Sequence, residues 1–297
     1  MRRRAALILP AAVVMLAAAM GERKGHAADT GLPTAITTAA LAAAASVDAH
    51  DTAVVGQHRY QVGIFRPLTI RLAERIELRA HPLLFLVAPN AVLRVGLSAE
   101  PWGWSLATEY GLSVPTLAMR LSQGYLFPSW ERGGGTVGWA AAPRGGLVAS
   151  KRLRGDALVT VKADLTVGIP LSRTDATPLD APAPLELLMA PVLSGARARL
   201  GVLGERPFAG RIVVRLYGDL YLRGRTPIMQ SPAAPAWTNL TARLGVGVDF
   251  LPGTQRRNRI TLGVAWWNSD QHEIDETTFA RVRTNEFWPT LDFVWSG

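Results

Sequence analysis

The chain has 297 residues, 48% of them hydrophobic, no cysteine and a formal charge of +9. That length suits one large domain or two small ones, and the missing cysteines exclude a disulfide-stapled exported module. Residues 1–27 carry five basic residues against Glu22, so a chain starting at Ala28 has a charge of only +5. With an export signal in front, that mild excess argues against nucleic acid as a partner.

The N-terminus reads as that signal. Arg2, Arg3 and Arg4 precede an apolar run from Ala5 to Met20, and Gly25-His26-Ala27 offers small residues for cleavage near Ala27. The run is short for a membrane anchor and contains Pro10. Residues 28–57 read as an Ala-rich linker, with Gly31–Val47 a linker or short helix. No later run has the roughly 18 uncharged apolar residues of a spanning helix.

From residue 58 onward the pattern changes to period two, the signature of strands with one apolar and one wet face. Twelve segments carry it: Tyr60–Leu72, Ile76–His81, Ala91–Ala99, Trp102–Leu112, Leu117–Gln123, Gly146–Leu153, Ala157–Ile169, Val192–Leu203, Arg211–Arg223, Leu240–Leu251, Asn258–Trp267 and Phe287–Ser296. In Ala157–Ile169 all seven odd positions are apolar, while Thr160, Lys162, Asp164 and Thr166 lie opposite. A strand of that length is long enough for the roughly 9–11 residues that cross a bilayer. Pro67 falls inside the first segment and predicts a bulge or break, so ten strands is an alternative count. Gly155-Asp156, Gly204–Arg206 and Pro252–Arg257 read as tight turns. Gly124–Gly145, Pro170–Pro191, Gly224–Asn239 and Asn268–Glu286 read as long connections. Alternating short and long connections fit a membrane barrel with its turns on one side and its loops on the other.

Trp102, Trp104, Trp266, Trp267, Trp288 and Trp295 cluster near strand ends, as in an interfacial girdle. The expected fold is therefore all-β: a transmembrane antiparallel up-and-down barrel of about 12 strands spanning 58–297. The chain resembles Gram-negative outer-membrane β-barrel proteins in three features. These are the leader Met1–Ala27, the alternation from Tyr60 to Ser296, and the aromatic terminal strand WPTLDFVWSG. In that family a terminal strand ending in an aromatic is the assembly signal; here Ser296-Gly297 extends past Trp295. Tyr60–Gly96 also looks like outer-membrane proteins without an assigned activity. The resemblance implies the bacterial outer membrane, its lipid and lipopolysaccharide, and the outer-membrane assembly machinery as surroundings.

The wet face would line the lumen. Its candidates are Arg79, Arg94, Lys162, Arg197, Arg199, Arg211, Arg215, Asp219, Arg243, Asp249 and Arg259. With Arg71, Arg120, Arg152, Arg223, Glu77, Glu109, Asp164 and Asp292 the face has thirteen cations against six anions. Such rings favour anions in a pore, and the chain is similar in this to twelve-strand channels for acidic oligosaccharides. A passive channel for small anionic solutes is one reading. The other is a structural or adhesion barrel filled by cross-strand ion pairs among Arg215, Asp219, Arg243 and Asp249.

A barrel lipase or acyltransferase is a third reading. His81 and the Ser269, Asp270, His272 group are its only material, and no G-x-S-x-G turn occurs. Asp270, Glu273, Asp275 and Glu276 lack regular cation-ligand spacing. No catalytic residue, metal or cofactor is expected. The Gly133–Gly135 tip and the Pro-rich Thr177–Pro184 stretch suit exposed loops.

Overall fold

The computed structural model describes residue 53 and residues 59–85, 88–97, 101–121, 137–173, 183–208, 211–224, 240–252, 258–274 and 281–297. The leader, all of the linker except residue 53, and the Gly133–Gly135 tip lie outside them. Among the described residues thirteen strands occur in chain order. They are β1 (Tyr60–Gly63), β2 (Leu68–Ala73), β3 (Ile76–Ala80), β4 (Asn90–Gly96), β5 (Ser105–Ser113), β6 (Ala140–Arg152) and β7 (Leu158–Val167). The two-residue β8 (Ile169–Pro170) follows, then β9 (Ala196–Phe208), β10 (Ile212–Arg223), β11 (Leu240–Phe250), β12 (Asn258–Ile274) and β13 (Arg281–Ser296). All but β8 form one antiparallel ring that β5–β6 and β13–β1 close. The ring is a closed barrel of twelve strands.

The count of twelve agrees with the periodicity, but two segments differ. Tyr60–Leu72 is not one strand. It folds into the β1–β2 hairpin, with Tyr60 opposite Ile70 and Gln61 opposite Thr69. Pro67, which has no N–H to give a ladder, belongs to the reversal rather than to a bulge. Gly63 makes the reversal possible, because a Cβ there would come within 2.8 Å of the Arg66 Cβ. Leu117–Gln123 differs too, in its described residues up to Leu121. Thr116–Leu121 is a helix, α2, starting directly after Pro115, a residue suited to a helix's first turn. A short apolar run does not distinguish strand from helix by periodicity alone. A one-turn helix, α1 (Pro82–Phe85), links β3 to β4.

Boundaries shift as well. β9 starts at Ala196 and runs through Gly204–Arg206, the expected turn, to Phe208. β12 and β13 take up most of the expected Asn268–Glu286 loop, with Ser269 opposite Thr284. Val192–Ser194 belong to a helix, α3 (Ala183–Ser194).

Side chains sort by strand parity. Leu72, Leu112, Leu147, Leu165, Leu200, Leu216, Leu222, Val246, Leu262, Phe287 and Leu291 are exposed on the outside. Glu77, Arg79, Arg94, Glu109, Lys162, Asp164, Arg215, Asp219, Asp249, Arg259 and Asp292 are buried on the inside. This inverts a soluble protein, in which large apolar groups are buried and charges exposed. It is the arrangement a bilayer requires, because closure pairs the strand edges and lipid covers the apolar band. The wall is uneven in height. β13 is sixteen residues long, yet only Val294, Trp295 and Ser296 pair with β1, at Gly63, Val62 and Gln61. Gly297 adds two backbone bonds to Tyr60 at this seam.

Candidate functional site: the inner wall

Charges on the inner wall come from strands in direct register. Glu77 on β3 faces Arg94 on β4, which faces Glu109 on β5. Asp164 on β7 faces Arg199 on β9. Asp219 on β10 faces Arg243 on β11. Opposite charges therefore meet across strands, the pairing that stabilises a sheet face.

The contacts join into a row. Arg79 is 2.5 Å from Glu77, and Glu77 is 3.5 Å from Arg94. Arg94 pairs with Glu109, which lies 2.7 Å from Arg144 on β6. Arg144 reaches Asp164 at 3.2 Å. Arg197 and Arg199 each approach Asp164 to 4.0 Å. Arg199 binds Asp219 at 2.7 Å, and Arg243 closes the row at 3.5 Å from Asp219. The row crosses eight consecutive strands, β3 to β7 and β9 to β11.

Aromatic rings hold its end. The Arg243 guanidinium lies 4.6 Å from the Tyr217 ring centre and 4.9 Å from that of Trp267. Both are within cation–π reach. Tyr217 lies flat across Gly245, where a Cβ would come within 2.1 Å of the ring. Tyr221 stacks on Trp267 with centroids 6.1 Å apart.

A second group sits nearer the β13 seam. Arg215 binds Asp249 at 2.9 Å, and the Thr261 hydroxyl donates to the same carboxylate at 2.7 Å. Arg66, from the β1–β2 reversal, meets Asp292 at 3.2 Å. Arg259 is buried on β12.

Helix α3 lies against the inner wall. Its Ala183 and Leu187 pack in one apolar cluster with Tyr221, Ala265 and Trp267. Met189, Ala190, Val192 and Leu193 are buried too. A largely apolar helix belongs in an interior, and this one takes up residues 183–191 of the expected long connection Pro170–Pro191, of which residues 174–182 lie outside the described residues. Pro191 sits inside the helix. Proline has no N–H, so the Leu187 carbonyl loses its helical donor. Arg197 Nη1 supplies one at 2.7 Å, while its Nη2 holds the Thr166 hydroxyl at 3.3 Å. One arginine thus ties the helix to the wall. At the opposite end of β6, the Ala53 N–H donates to Ser150 Oγ at 2.8 Å, and Ser150 shares a hydrogen bond with Thr160. Ala53 is buried with Ala107 and Val148.

Among the expected lumen residues, the wall row unites Arg79, Arg94, Arg197, Arg199, Asp219 and Arg243. Arg215 and Asp249 form the second group. Lys162 and Arg259 are buried on inward positions. Arg211 differs: it lies exposed in the turn before β10. Arg120 is on α2, donating to the Val137 carbonyl at 2.9 Å and stacking over Trp139. Arg71 and Arg152 are exposed near strand ends.

Arg144 and Glu205 are inward charges that periodicity missed, as is Arg66 of the first segment, which turns to Asp292. The small residues of 140–146 hide the alternation around Arg144, and Glu205 sits within an apparent turn signal, Gly204-Glu205-Arg206. Of the histidines, His81 is tied into the wall: its Nδ1 accepts from the Leu84 N–H at 3.3 Å and its Nε2 donates to the Phe65 carbonyl at 2.7 Å. The side chains of residues 270–280 lie outside the description, and with them Asp270 and His272. Among the described residues no three His, Asp or Glu side chains converge as a metal site would need.

No family model and no curated protein matches the sequence. Solved structures do show likeness. The outer-membrane expressed OmpT of Vibrio cholerae aligns with 81% of this chain and 65% of its own, at 11% identity and a TM-score of 0.41. OccK1 (OpdK) of Pseudomonas aeruginosa aligns with 80% of this chain and 56% of its own, at 12% identity and 0.37. The chain thus spans just under two thirds of the first and little over half of the second. LpxR from Salmonella typhimurium aligns with 90% of this chain and 96% of its own, at 10% identity and 0.35. Likeness at this level says nothing of what the present chain binds.

Proposed function

We propose that this chain is an outer-membrane barrel through which small anionic solutes pass passively. Its leader would be removed near Ala27. Its apolar band would face membrane lipid and lipopolysaccharide, and the assembly machinery would read its aromatic terminal strand. One observation carries the choice of anions. From β6 to β11 the arginines of the wall row are the accessible partners and the acids lie beneath them, whereas Arg79 and Arg94 at its β3–β4 end are buried with their acids. Arg144, Arg199 and Arg243 are 22%, 19% and 26% exposed, whereas Glu109, Asp164 and Asp219 are 5%, 2% and 4%. A solute inside the barrel would meet guanidinium groups, and a wall of one sign concentrates the opposite ion.

A second reading has its own support. Twelve strands lie between the filled eight-strand barrels and the wide porins, α3 occupies interior space, and Arg94 and Asp249 have no accessible surface. These features favour a filled scaffold. Conductance of the refolded protein in a planar bilayer under a salt gradient separates the two. A channel gives an anion-selective reversal potential that moves toward cations in Arg199→Glu plus Arg243→Glu. A silent bilayer, with the barrel folded and heat-modifiable on a gel, sinks the channel and leaves the scaffold.

A further inference from the structure

Asp164 is a crowded carboxylate of the wall. Three guanidinium groups, those of Arg144, Arg197 and Arg199, lie within 4.0 Å of it. Only Arg144 forms a hydrogen bond with it, at 3.2 Å. Asp164 Oδ1 is buried and accepts none. One negative charge thus faces three positive ones, and like charges at such separations repel unless a further anion offsets them. The neighbouring acids offset that repulsion only in part. Glu109 is shared between Arg144 and Arg94, and Asp219 between Arg199 and Arg243.

Donor capacity exceeds what the wall uses. Arg144 spends only its Nη2 atom on its two acids. Arg197 holds a carbonyl and a hydroxyl, both neutral. Register keeps the three close: Arg144 faces Thr166, Thr166 faces Arg197, and Asp164 faces Arg199. Rigid strands rather than loops place them. A fork of planar guanidinium groups is suited to the paired oxygens of phosphate or carboxylate.

We infer that Arg144, Arg197 and Arg199 form a saturable site on the inner wall for one doubly charged oxyanion, of the phosphate or short dicarboxylate class. Two charges are the surplus of the row's six arginines over its four acids, Glu77, Glu109, Asp164 and Asp219. A monovalent halide offers neither the charge nor the paired oxygens. The site deepens the anion-passage reading and rests on it: solutes of this class would pause at the site rather than diffuse freely. Arg197 also holds α3, so an occupant drawing on Arg197 would compete with the Leu187 carbonyl.

The test is calorimetric titration of the refolded full-length barrel with inorganic phosphate above its second pKa, and separately with succinate, at fixed ionic strength set with chloride. One saturable event per chain is expected. It weakens about tenfold or more in Arg144→Gln, as for a lost charge-assisted hydrogen bond, and is unchanged in Arg154→Gln in the exposed β6–β7 turn. Asp164→Asn removes the competing carboxylate and binds phosphate more tightly, which keeps the site testable should the arginine variant not fold. Absence of saturable heat in the folded wild type overturns the site, as does equal binding by wild type and Arg144→Gln. Saturable binding beside a silent bilayer leaves the site standing and removes only the passage.

Discussion

Arg94 shows what a charge costs inside this barrel. It is among the largest side chains with no accessible surface, held between Glu77 and Glu109. Deleting one partner of a buried ion pair leaves the other uncompensated, a loss of about 3–5 kcal/mol. Arg94→Ala should lower the unfolding midpoint in urea accordingly, measured in lipid vesicles. Gly245 makes a steric counterpart. A valine there must displace the Tyr217 ring, which overlies the site at 2.1 Å from a built Cβ, and overpacking of this kind costs about 1–3 kcal/mol. The same denaturation assay on Gly245→Val checks it, and a companion Tyr217→Ala should recover part of the loss. Both charges and glycines on alternate positions were legible as a wet face. Which charge meets which was not, because partners such as Glu109 and Arg144 lie 35 residues apart.

Among the elements, α3 was the least legible. Its sequence, APLELLMAPVLS, is apolar except at Glu186 and Ser194, so no regular polar stripe marks it as a helix. Its two prolines resemble loop punctuation. Only the folded barrel shows that the Leu187 carbonyl, deprived of a donor by Pro191, is taken by Arg197. Arg197→Ala leaves that carbonyl without its side-chain donor and loosens the helix, which then keeps its apolar packing on Tyr221, Ala265 and Trp267. If the barrel conducts, this variant should carry a larger current than the wild type in single-channel recordings, with heat-modifiability kept. An unchanged current would mean that α3 does not limit the path. The β1–β2 hairpin makes a milder case. Pro67 announced an interruption, and the tight approach at Gly63 turned it into a full reversal.

For the whole molecule, the distribution of polarity decides the solvent on each side. Leu216 lies near the centre of β10 and is exposed outward, while its neighbours Arg215 and Tyr217 point inward. In a bilayer, Leu216→Arg should cost about 2–4 kcal/mol, the range for arginine on the lipid face near the midplane. In a soluble protein the same exposed substitution would change little. Unfolding in vesicles compared with the wild type distinguishes the two. The seam follows the same logic. Closure at the β13–β1 seam rests on three paired residues of β1, the bonds between Tyr60 and Gly297, and the Ile64 N–H bond to the Phe293 carbonyl.

By itself the sequence determined the class of fold, the face of each long strand and the excess of arginine on the inner one. These are local properties: side chains alternate along any extended chain, and lipid and water select opposite faces. The tertiary structure alone decided the strand ends, the split of the first segment, the inward helix and the convergence of Arg144, Arg197 and Arg199 on Asp164. Such features depend on register between distant strands, and register is set by closure of the whole ring rather than by any window of the chain.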